Sequence, residues 1–218
     1  MRLSETIKAL LTPPERKLFE RLSTPAKVQD WLEALPPNFE LHGDTYMSPR
    51  SVLKERKAHC MEGAVFAAAV FAYHGREPQL MDLQTADPDE DHVVALFKDN
   101  GYWGAVSKTN HSILRYRDAV YKTPRELALS YFHEYFLEEN GKKTLRAFSK
   151  PFALSRYAPA RWVTSEKSLE WLTDTLDWSR HFPIAPKKNL KALRRAVEIE
   201  RNNLRATEWT RRGERRYK

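Results

Sequence analysis

The chain has 218 residues, 41% of them apolar and 30% charged, with a formal net charge of +8. That length buries one sizeable core and the composition is that of an ordinary globular protein, which sets aside disorder and two full domains. No run approaches the roughly 18 apolar residues of a membrane helix, and a lone cysteine excludes an internal disulfide or a multi-cysteine zinc site.

The opening "MRLSETIKALLTPPERK" has no long apolar run and no small-residue cleavage site, so no secretory signal and a cytoplasmic location are expected. The first fifty residues read as short helices. In "STPAKVQDWLEAL", Thr24 is expected as N-cap and Pro25 at N1, with Val28, Trp31, Leu32 and Leu35 on one face. "MSPRSVLKERKAHC" repeats the device with Ser48 and Pro49 and leads to Cys60. From about Met61 to Tyr73, Ala, Val and Phe occupy every face, which predicts a central buried helix stopped at Gly75.

Strand-like runs follow in "EPQLMDLQ", "HVVALFK" and "GYWGAVSK", the last two joined by an Asp-Asn-Gly turn that signals a hairpin. "ILRYRDAVY" is predicted as an edge strand, "TPRELALSYFHEYFLEE" as an amphipathic helix capped by Thr123, and "RAFSKPFALSRY" as a returning strand. "SEKSLEWLTDTLDW" reads as a helix capped by Ser165, and "HFPIAPKK", with its prolines, as a linker before a long basic helix from about Pro186. The pattern gives an α+β fold: a domain over residues 1–164 in which a buried helix packs on a small antiparallel sheet, then a helical extension over residues 165–218.

Cys60 can be read as packing, since thiols are among the most buried side chains. Its position favours a nucleophile: the first helical turn carries partial positive charge and unpaired N–H groups that lower a thiol's pKa, and Lys54, Arg56, Lys57 and His59 precede it. His92 opens the most apolar strand, where an imidazole can reach a thiol on a neighbouring helix. Ser107 and Asn110, just past the Trp103 strand, are both able to accept the second imidazole N–H. The acidic loop "DPDED" fails as a calcium loop, because His92 and Lys98 stand where Gly and Glu are needed; Asp91 is expected to steady its neighbours there. His42, His74, His111, His133 and His181 show no ligand spacing, and no phosphate or dinucleotide motif occurs, so neither metal nor cofactor is expected.

A cysteine opening a buried helix, a histidine opening a strand, then a Trp-containing strand across a tight turn resembles the transglutaminase-like superfamily. "KERKAHCMEGAVFAAAVFAYHG", "DHVVALF" and "GYWGAVSKTN" carry the resemblance, over roughly residues 45–115. It implies a papain-like core, Cys60 as nucleophile, His92 as base, and a peptide or protein amide as substrate. One departure stands out: the superfamily's W-x-x-x-D pattern reads Ser107 here, which leaves Ser107 or Asn110 to orient His92, or a degraded site that only binds peptides or proteins. Asp82 and Asp118 are further acids in range, disfavoured by chain order.

Residues 186–218 hold twelve Lys or Arg against four Glu, so the positive charge belongs to this tail. The tail predicts an acidic partner or an association with nucleic acid, or else a solvated helix. Leu190, Leu193, Val197 and Leu204 are spaced as an apolar stripe on that helix. Its removal is expected to leave the body folded.

Overall fold

In a computed structural model, which describes residues 2–41 and 43–217, four helices precede the cysteine: α1 (Leu3–Leu10), α2 (Pro13–Arg21), α3 (Pro25–Glu33) and α4 (Pro49–Glu55). Thr12, Thr24 and Ser48 cap α2, α3 and α4, each accepting a backbone N–H three residues on, and each is followed by a proline at N1. That proline lacks the N–H the first turn could not have used and holds φ near the helical value.

The central helix α5 (Cys60–Tyr73) is buried at every position from Met61 onward. α1, α3 and α4 surround it, Trp31 stacks on Phe66 at 4.3 Å, and Phe19 meets Phe66 edge-on at 5.5 Å. Gly75, at φ +80°, ends the helix. Its N–H bonds Ala72 O (3.0 Å) and the Arg76 N–H bonds Phe71 O (2.9 Å), the paired closure that a left-handed residue permits. Gly75→Ala should therefore cost about 1–2 kcal/mol, read as a fall of roughly 2–8 °C in Tm in thermal melts.

The strands are β1 (Gln79–Gln84), β2 (His92–Asp99), β3 (Tyr102–Val106), β4 (Arg117–Tyr121), β5 (Ala147–Ser149), β6 (Phe152–Ala153) and β7 (His181–Pro183). They form one sheet in the order β4-β3-β2-β1-β5-β7, with β6 also on β1, and every pairing is antiparallel. Asp99 pairs with Tyr102 around Asn100 (φ 48°) and Gly101 (φ 88°), the two left-handed residues of the expected tight hairpin. One face of the sheet, with Leu80, Val93, Ala95 and Phe97, packs in the core of α5. The other, with Met81, Leu83, Val94 and Leu96, packs with Leu127, Tyr131 and Tyr135. Burial on both faces explains why β2 reads as an unbroken apolar run.

Several expectations are corrected. The helix beginning at Thr123 is only α6 (Pro124–Tyr131), ending in a tight turn through Glu134. Tyr135 and Phe136 leave the helix to enter the core, while Glu134 binds Arg117 (2.5 Å) and Leu114 N (2.6 Å). Ser165 does not cap a helix; its hydroxyl closes a local turn on Lys167, and α7 (Glu170–Asp177) begins later. "HFPIAP" is no linker, because β7 adds to β5 and Phe182 packs on Phe148. α7 also buries Leu172 and Leu176 in the α5 core. The long basic helix is two short ones, α8 (Lys187–Lys191) and α9 (Glu198–Leu204), split where Ala196 is buried and donates to Gly141 O (2.8 Å). Val197, 42% exposed, lies off the core, so the expected apolar stripe does not form. Among the described residues no helix is long and apolar enough to cross a membrane.

Candidate active site

Cys60 is the first residue of α5 and lies partly exposed in a cleft of about 650 Å³ that His59, His92 and Tyr135 also line. Burial alone would push the thiol up. Hydrogen bonding from His59 and then His92, with the positive charge of both rings, lowers it instead to about 5. The thiolate is therefore the form present at neutral pH. Among the described residues the Cys60 N–H has no acceptor, as befits the first position of a helix.

His92 is buried at the start of β2, and its Nε2 lies 2.7 Å from Ser107 Oγ. The Ser107 hydroxyl donates to Leu114 O, so it can only accept from the ring. That fixes Nε2 as the protonated nitrogen and leaves Nδ1 free to take or give a proton. Ser107 is itself clamped by Gln29 of α3, whose Oε1 accepts from Ser107 N (2.9 Å) and whose Nε2 donates to Ser107 O (2.8 Å). Asn110, the other residue expected to orient His92, does not do so. Its amide bonds both sides of the Trp209 peptide, accepting from N (2.8 Å) and donating to O (3.1 Å). Asp82 bonds His181 (2.9 Å), and Asp118 is exposed on the edge strand β4.

His59 has a larger part than its sequence position indicates. It is the N-cap of α5, with Nδ1 3.2 Å from Met61 N and 4.0 Å from Cys60 Sγ, and with Nε2 donating to Thr45 O (2.7 Å). Burial opposes a charge on this ring, but the bond and attraction to the Cys60 sulfur, followed by Glu62, raise it to about 9. A protonated Nδ1 cannot accept the Met61 N–H. The ionised pair prevails, because one capping bond is worth about 1 kcal/mol, while unit charges about 4 Å apart near a protein surface attract several-fold more strongly.

Glu62 completes the helix entry. Fully buried, it accepts from His59 N (2.9 Å), Met47 N (3.0 Å), Thr45 Oγ1 (2.9 Å) and Asn38 Nδ2 (3.2 Å), and lies 3.4 Å from His59 Nε2. The sequence did hold a signal for it: H-C-M-E has the N-cap and N3 spacing of a capping box, with His in place of Ser or Thr. Gln29 and Asn38 had none, since nothing local marks a polar residue whose partner lies far along the chain.

The cleft's last wall comes from the C-terminus. Trp209 pairs with Arg215 in a small hairpin that places Trp209, Arg211 and Arg216 on the cleft. Asp91 does steady its loop, accepting from Thr85 N and Thr85 Oγ1. His74, His111 and His181 bond backbone carbonyls and His133 meets Lys143, while His42 lies outside the described residues. Among the described residues no three His, Cys, Asp or Glu side chains gather as a metal site. No known protein-family model matches the chain, and no curated protein matches it.

Proposed function

We propose that this protein is a cysteine-dependent acyl-transfer enzyme of transglutaminase-like type, with a papain-like core and a peptide or protein amide as substrate. The observation that carries the reading is Cys60 at a helix N-terminus, ionised at neutral pH between two imidazoles, one of them oriented by Ser107. The thiolate attacks the amide carbonyl, forming a C–S bond, and the Cys60 N–H donates to the developing oxyanion. As the C–N bond breaks, protonated His92 gives its Nδ1 proton to the leaving amine. Water then cleaves the thioester to an acid in hydrolysis, or a second amine takes the acyl group in transamidation.

Ser107 supplies what the superfamily's aspartate would: an acceptor that fixes the ring, without a negative charge behind it. His59 supplies the positive charge that keeps the sulfur ionised.

Amine release from a panel of peptide amides tests the reading. Cys60→Ser and His92→Ala should each lower it by at least about 100-fold. Ser107→Ala, which frees the ring to turn, should lower it by about tenfold or more. A panel that yields no amine from the native protein, together with a thiol that titrates normally, would favour a binding module on the same fold.

A further inference from the structure

The C-terminal hairpin is firmly held. Besides the two Asn110 bonds to Trp209, Glu208 N donates to Asn110 O (2.8 Å), His111 Nδ1 to Leu204 O (2.8 Å) and Ser112 Oγ to Asn203 O (2.5 Å). Glu208, 6% exposed, is gripped by Arg115 (3.1 Å) and Arg215 (2.6 Å). These anchors commit Arg215 but not Arg211 or Arg216. Both are exposed and line the Cys60 cleft, and among the described residues neither makes an ion pair or a side-chain hydrogen bond.

Of the acids on this cleft, Glu134 and Glu138 are paired with Arg117 and Arg205 and Glu40 stands near His59, while the loop joining β1 to β2 brings Asp89, Glu90 and Asp91. The sheet order sets the arrangement. The hairpin is fastened to the segment just after β3, on one side of β2, and the acidic loop leads from β1 on the other, with His92 of β2 between. Among the described residues no ion pair joins the two walls. Two walls of opposite charge that do not meet leave a polarised gap, and a ligand that complements the hairpin side carries negative charge.

We propose that Arg211 and Arg216 select the substrate of this site, drawing to the hairpin side an acyl substrate that bears a carboxylate next to the reacting amide. This rests on the acyl-transfer reading above. Two reagents separate charge selection from chemistry. Iodoacetate and iodoacetamide both form a C–S bond with the thiolate and expel iodide, and differ in the charge they carry into the cleft.

The Arg211→Gln/Arg216→Gln protein should lose about three- to tenfold in its iodoacetate rate at low salt, with the iodoacetamide rate unchanged. Arg211→Lys/Arg216→Lys should retain most of the native ratio, and about 0.5 M salt should shrink the difference. An unchanged ratio in the Gln protein, or a Lys protein as low as the Gln protein, would overturn the proposal. The ratio is also read at pH 9, where any thiol is substantially ionised. Charge selection is thus measurable even if Cys60 proves to be an ordinary thiol, the result that would sink the acyl-transfer reading instead.

Discussion

Alkylation of Cys60 by iodoacetamide should run at a nearly constant rate from about pH 6 to pH 8, where an ordinary thiol speeds up about tenfold per pH unit. The cause is the lowered thiol: with a folded value of about 5, the thiolate already dominates at pH 6. The shape of the profile is the diagnostic, not the absolute rate, because a less basic thiolate is also a weaker nucleophile. The sign follows from the charges around the sulfur. Removing either positive ring raises the thiol's pKa, so His92→Ala and His59→Asn should both move the rise in rate to higher pH.

Asparagine at position 59 is a good N-cap, so that variant removes the ring's charge without leaving the helix entry poorly capped. His59 and His92 each lower the thiol through a hydrogen bond and through charge, so both replacements should move the profile in the same direction. A native profile that rises tenfold per unit through pH 8 would leave Cys60 as a packing residue.

Glu62→Ala should be among the most damaging single changes to stability. The carboxylate is fully buried and satisfies donors on His59, Met47, Thr45 and Asn38. Stranding a buried donor costs about 1–3 kcal/mol each. Allowing for water entering the space, a loss of about 3–5 kcal/mol is expected. For a chain of this size that is a fall in Tm of roughly 6–20 °C, measurable by calorimetry. Glu62→Gln should lose less, since its carbonyl oxygen still accepts while its amide group faces donors. The same loss should reach Cys60, because Glu62 ties Asn38, Thr45 and Met47 to the helix entry and stands beside His59.

The tail shows where reading residues in order goes astray. Because the central helix and the hairpin lie far upstream, the body was expected to stay folded without it, yet Ala196 and Glu208 are buried and the final hairpin walls the cleft. Deleting residues 205–218 would leave Arg115 with one carboxylate partner, Glu33, in place of two. It would also uncover the Asn110 amide.

Local chemistry did determine much of this protein. Threonine or serine followed by proline placed α3, α4 and α6, Gly75 ended α5, Asn-Gly turned β2 into β3, and helix-period and strand-period apolar runs gave the α+β class. Cys60 at the helix entry and His92 at the strand start were legible for the same reason, since each depends on position within a single element. What only the tertiary structure decided depends on partners distant in sequence. Ser107 faces His92 and Asn110 does not, because Asn110 is engaged by Trp209, 99 residues on. β7 joins the sheet through β5, and Glu62 binds Asn38 and Met47, twenty-four and fifteen residues upstream. Hydrogen-bond competition and burial settle such choices only after the chain has closed on itself, and no local pattern records them.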